Sequence, residues 1–136
     1  MVLVNAPVPC LDPALRAVAM ARDMQSDVQS LLAGRQELDH RLGFGVGLAM
    51  GPATVGRIGS EGRLDYTAIG NVVNLAARLC SGAYDREILV DRVAADAVGS
   101  RLPLVELAPR ALKGFDRPVS VFAAAVLTPQ TAQPPG

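Results

Sequence analysis

Residues 62–79 read GRLDYTAIGNVVNLAARL, and this stretch decides the fold. It divides at Gly70. Residues 64–69 are apolar and β-prone enough for a short strand, and residues 71–79 carry helical spacing. Asn71 is placed to cap that helix with its side-chain oxygen. Val72, Leu75, Ala76 and Leu79 then fall at i, i+3, i+4 and i+7, an apolar stripe to be buried. Asn74 and Arg78 lie four apart on the opposite face, where a helix makes them neighbours. On spacing alone they form a solvated face, yet an amide beside a guanidinium fork also suits a phosphate ester.

Working towards the N-terminus, residues 42–51 alternate bulky and bare positions: Leu42, Phe44, Val46, Leu48 and Met50 against Gly43, Gly45, Gly47, Ala49 and Gly51. This is the period of a strand with one nearly bare face, fit for the close approach of a helix or a facing subunit. No G-K-[ST] follows and the spacing is not GxGxxG, so a phosphate-binding loop is not indicated. Pro52 turns the chain, and residues 53–58 read as a second strand joined to the first in hairpin fashion. Residues 59–62 form a loop. Further back, Asp12 and Pro13 open an amphipathic helix, with Asp12 as its cap. Ala14, Val18, Ala21, Met24, Val28 and Leu31 line its inner face to a stop near Gly34. Residues 2–4 read as a buried strand. With no turn or cap before it, that strand reads as a cut edge.

Towards the C-terminus, Ser81-Gly82 closes the central helix. Residues 87–90 form a strand, Asp91 caps a short helix to Val98, residues 104–107 form another strand, and residues 119–126 a last one. Residues 128–136 are proline-rich and polar, a disordered tail. Strands alternating with amphipathic helices and joined by hairpins argue for a mixed, largely antiparallel sheet covered by helices on one face.

Taken together, DYTAIGNVVNLAARL, the preceding LGFGVGLAMGPATVGRIGSEGR, and the following EILV and LKGFDRPVSVF resemble, in order, the C-terminal two-thirds of a class III adenylate/guanylate cyclase catalytic domain. The resemblance implies an α+β, ferredoxin-like nucleotide cyclase fold over residues 1–127, truncated at its N-terminus. It further implies conversion of ATP, or less readily GTP, to a cyclic 3′,5′-nucleotide and pyrophosphate. Asn74 would orient the ribose, and Arg78 would stabilise charge on the α-phosphate. Thr67 would help select the base, and Lys113 would contact the triphosphate. The family's Mg2+ or Mn2+ is held by two aspartates with no matching residue here. Asp12, Asp23 and Asp27 lie in a helix cap and on a helix rather than at strand ends facing one point, so no metal ligand is assigned. A second cyclase domain is the implied partner, since the family's sites form between two domains. The alternative is a non-catalytic cyclase-homology module that dimerises with another cyclase domain and regulates or complements it.

Composition agrees with a single compact domain. The 136 residues are 50% hydrophobic and carry 13 basic against 13 acidic side chains, with two Tyr, three Phe and no Trp. Zero formal charge and few aromatics argue against a nucleic-acid surface. Cys10 and Cys80 lack metal-type spacing and read as small buried hydrophobes. His40, the one histidine, reads as solvent-exposed. No leader-like or membrane-spanning run is visible, so the chain is read as cytosolic. Without its opening strands it is expected to be marginal or aggregation-prone unless a partner covers the exposed edge.

Overall fold

The computed structural model describes residues 1–33, 35, 43–60, 62 and 65–124. His40, the start of the expected strand at Leu42 and the tail at 128–136 lie outside the described residues. Pro13, with φ already fixed, opens α1 (Pro13–Leu32), and Ala14, Ala17, Val18 and Ala21 form its buried face. Asp12 occupies the cap position without capping: its carboxylate accepts no helix N–H and pairs instead with Arg101 at 2.7 Å. The apolar stripe also ends early, for Leu31 is 70% exposed. Residues 2–4 do not form the expected buried strand, and Val2 is 61% exposed. No strand among the described residues offers them a ladder.

Among the described residues, six strands and two helices follow α1. They are β1 (Val46–Leu48), β2 (Thr54–Ile58), β3 (Asp65–Ile69), α2 (Asn71–Gly82), β4 (Ile88–Asp91), α3 (Arg92–Val98), β5 (Leu104–Glu106) and β6 (Val121–Ala124). The main sheet has the order β1-β4-β6-β5. β1 runs parallel to β4 with Val46 opposite Ile88, and β6 lies antiparallel to both β4 and β5. The expected β1–β2 hairpin does not form. β2 pairs instead with β3, antiparallel, from Thr54 opposite Ile69 to Ile58 opposite Asp65, as a separate two-stranded sheet.

The α+β class and the mixed, mostly antiparallel pairing agree with the sequence reading, but the helices divide between both faces of the main sheet. Ile88 and Val90 of β4 pack with α1 and α3 through Val18, Ala21, Ala94 and Val98. Leu89, on the other face of the same strand, packs with Leu79 of α2, Leu112 and Val121. A strand's period of two sends its side chains into both layers. The bare face of β1 is where α2 docks. A Cβ on Gly47 would collide with the backbone N of Cys80 and lie 2.6 Å from the carbonyl of Ala76. This is the tightly apposed helix expected from the glycines. Cys80 is exposed and Cys10 is half-buried, contrary to the expectation that both are buried.

Candidate active site

Gly70 joins β3 to α2. Its φ of 157° and ψ of 168° lie in a region open essentially to glycine, and it takes the cap position expected of Asn71. Asn71 is instead the first helical residue, and no side chain caps the helix. The carbonyl of Gly70 accepts from the N–H groups of Val73 and Asn74 at 3.1 and 3.4 Å. A depression of about 320 Å³ opens at this junction, lined by Ala68, Ile69, Gly70, Asn71, Val73 and Asn74. Thr67, half-buried and opposite Gly56 in the hairpin, precedes the first of these lining residues. Asn74 lines the depression and Thr67 does not.

Arg78, further along the helix, and Lys113, in a turn between β5 and β6, lie outside the lining of that depression. Leu79 is fully buried, but Val72, Leu75 and Ala76 of the expected stripe are only half-buried, while Asn74 and Arg78 are exposed as the spacing predicts. Arg78 makes no hydrogen bond or ion pair among the described residues, and its guanidinium is available to a ligand. Gly82 lies one turn beyond Arg78 on the same face. With no side chain there, Leu112 seats against it: a Cβ on Gly82 would stand 3.4 Å from Leu112 Cδ2. Leu112 is buried in the same cluster as Leu79. The next residue is Lys113, exposed in a turn closed by the Phe115 N–H donating to the Leu112 carbonyl at 3.1 Å. Of the four expected site residues, Asn74 and Arg78 lie on α2, Thr67 lies on β3 and Lys113 lies in the turn after Leu112.

A polar cluster that the sequence reading missed joins the end of α2 to the segment that leads into the Lys113 loop. Arg110 donates to both carboxylate oxygens of Glu87, at 2.7 and 2.9 Å, and to the carbonyl of Gly82 at 3.0 Å. Its guanidinium also lies 4.9 Å from the centre of the Tyr84 ring. Glu87 accepts in addition from the Tyr84 N–H at 3.1 Å. The pair is largely withdrawn from water, with side-chain exposures of 22% and 19%. The hydrogen bond from Arg110 holds the Glu87 carboxyl below its ordinary range, against the opposing effect of burial. One guanidinium thus ties the last turn of α2 to the start of β4. The Arg110–Val119 bridge ties both to the loop bearing Lys113.

The donor set for a divalent ion is a different matter. Among the described residues, no three His, Cys, Asp or Glu side chains gather as a metal would require. Asp12 is paired with Arg101, and Asp85 accepts from the Phe44 N–H at 2.9 Å. Asp91 is buried, with Oδ1 accepting from Ala94 and Met50 at 3.0 and 3.3 Å. Burial pushes its carboxyl up, opposed by those N–H groups. The described residues do not fit the family's metal, and no chemical step is derived through it.

The chain resembles the solved adenylyl cyclase CyaB of P. aeruginosa with a TM-score of 0.76 and 28% identity, over 93% of this chain and 66% of that one. For the guanylyl cyclase Cya2 the TM-score is 0.75 and the identity 31%, over 93% and 64%. An uncharacterised protein of Mycobacterium tuberculosis is 36% identical over 88 residues, 62% of this chain and 16% of its own length. An adenylate cyclase of Anabaena cylindrica is 35% identical over 71 residues, 50% of this chain and 14% of its own. The chain thus spans a small part of the curated relatives it matches, and about two-thirds of the solved domains. Among the described residues, no helix is long and apolar enough to cross a membrane. Residues 1–118 match the adenylate and guanylate cyclase catalytic domain, and the chain belongs to that family.

Proposed function

We propose that this chain is the nucleotide-holding side of a cyclase site, taking ATP in preference to GTP. Completed by a second cyclase domain, it forms a cyclic 3′,5′-nucleotide and pyrophosphate in intracellular signalling. The observation that carries the reading is the outward face of α2. Asn74 and Arg78 stand exposed one turn apart, with no partner for the guanidinium among the described residues. Buried Leu79 and half-buried Leu75 hold the helix against the sheet. In this reading Thr67 meets the purine edge, Asn74 orients the ribose beside the depression, and Lys113 holds the outer phosphates. Arg78 stabilises the charge that develops on the α-phosphate as the 3′-hydroxyl attacks it. An oriented donor of that kind acts where charge appears in the transition state. The partner domain supplies the carboxylates that hold Mg2+ or Mn2+.

The test is complementation. The chain is mixed with a cyclase domain that bears the metal aspartates but has lost its own Asn and Arg, and cyclic nucleotide is measured from ATP and from GTP. Mixing is expected to produce activity, greater with ATP. Arg78→Ala should depress turnover by about 10²–10³-fold, the scale of one lost oriented donor. Mixing without activity, or activity indifferent to Arg78→Ala, rejects the assignment. Failure of mixing with retained dimerisation would favour the regulatory module, a reading supported by the engagement of Asp12, Glu87 and Asp91 in structural contacts.

A further inference from the structure

Arg110 lies outside the line of Asn74, Arg78 and Lys113, yet three parts of the chain converge on it. Its guanidinium holds the Gly82 carbonyl, one turn beyond Arg78, and both oxygens of Glu87 at the foot of β4. Its own backbone exchanges hydrogen bonds with Val119 at 3.0 and 2.8 Å, closing the base of the loop that carries Lys113. Inside that loop Leu112 lies beside Gly82, where an added Cβ would meet its Cδ2 at 3.4 Å. Arg78 and Lys113 each adjoin a member of one buried cluster, Leu79 and Leu112. Neither cation is held by its own side chain. Their spacing is set by the backbone segments that Arg110 joins.

We propose that Arg110, clamped by Glu87, is a positioning residue that fixes the Lys113 loop against the Arg78 turn of α2, so that both cations address one polyphosphate. This rests on the assignment of Arg78 and Lys113 to the phosphates made above. A polyphosphate is a chain of anionic centres a few ångströms apart, and two cations hold it well only at a set spacing. A guanidinium fork bound to a carboxylate and a carbonyl fixes orientation as well as distance. A lysine in its place would supply charge without the fork.

The clamp is tested on the full chain by titrating ATP with Mg2+ and, separately, adenosine. Wild type is compared with Arg110→Lys, Glu87→Gln, Arg78→Ala and Lys113→Ala, each first shown to unfold cooperatively. Arg110→Lys is expected to weaken ATP about tenfold, the scale of a charge-assisted hydrogen bond, while adenosine affinity is unchanged. Glu87→Gln should act in the same direction and serves if the lysine variant does not fold. A purely structural role would weaken both ligands together, and that outcome overturns the proposal. It is also overturned if ATP is unaffected by both clamp variants while Lys113→Ala weakens it. If wild type does not bind ATP, or Arg78→Ala and Lys113→Ala bind it as wild type does, the phosphate assignment itself falls and takes the clamp with it.

Discussion

Arg110 and Glu87 illustrate how much a single pair controls at the residue scale. Neutralising the carboxylate leaves a guanidinium largely withdrawn from water with only neutral acceptors, an amide oxygen and the Gly82 carbonyl, and the Tyr84 ring beside it. Glu87→Gln is therefore expected to cost about 1–2 kcal/mol near neutral pH, within the range for hydrogen bonds to charged groups. The pH dependence has a definite sign. The folded-state carboxyl is held below its ordinary value of 4.5, so between the folded and unfolded values the unfolded chain binds more protons and stability rises with pH. The contribution is complete above that ordinary value and is lost as pH falls through the folded one. Denaturant unfolding of wild type and Glu87→Gln at pH 7 and under acid conditions checks this: the gap should close in acid, and a constant gap refutes it. Asn74 and Arg78 were visible in the sequence because their relation is local, four positions on one helix. The Arg110–Glu87 pair was not, because 23 residues and two strand ends separate its members. The signal available was the placement of Glu87 at the head of EILV and of Arg110 just before LKGF, two segments that carry the family resemblance.

Among elements, α2 and β1 are decided by one contact. Gly47 has no room for a methyl group, since its Cβ direction runs into the backbone of Cys80 and Ala76 rather than into a yielding side chain. Gly47→Ala is expected to destabilise by about 3 kcal/mol, at the upper end of overpacking, because backbone must move. It should also loosen α2, and with it the outward pair Asn74 and Arg78. Thermal unfolding of Gly47→Ala beside Gly56→Ala gives the comparison, for a Cβ on Gly56 meets nothing within 4 Å. Equal losses at the two sites would contradict the packing argument. The same contact explains which strand pairings the sequence conveyed. Bare and bulky alternation announced a helix against β1, and Asp91 announced its cap on α3, since both signals are short-range. Pairing is not short-range. β1 and β2 are neighbours in sequence, but β4 takes the inner edge of β1, and β2 pairs with β3 across a short loop. Gly70, rather than Asn71, takes the cap position of α2 because the chain turns there through a conformation that asparagine does not readily adopt.

At the scale of the whole molecule, the two outer strands of the main sheet are unlike. β5 ends in Glu106, which is paired with Arg92 at 2.9 Å, and Pro103 precedes the strand. Charge and proline of this kind discourage a further strand from adding. β1 is Val46-Gly47-Leu48, with neither, and among the described residues no strand pairs with its outer edge. Val46 donates inward to the Glu87 carbonyl at 3.0 Å, so strand alternation turns the Gly47 N–H outward. Such an edge is a template for another chain, whether a cyclase partner or a second copy. The chain alone is therefore expected to grow in size with concentration by light scattering. The Gly47 amide should exchange rapidly with solvent when dilute and gain protection as association proceeds. A monodisperse monomer across the concentration range, with Gly47 protected throughout, would mean that the chain covers this edge itself. The edge would then have no part in assembling a two-domain site. If protection instead appears on adding a cyclase domain at concentrations where the chain alone stays monomeric, β1 is part of the surface through which the site is completed.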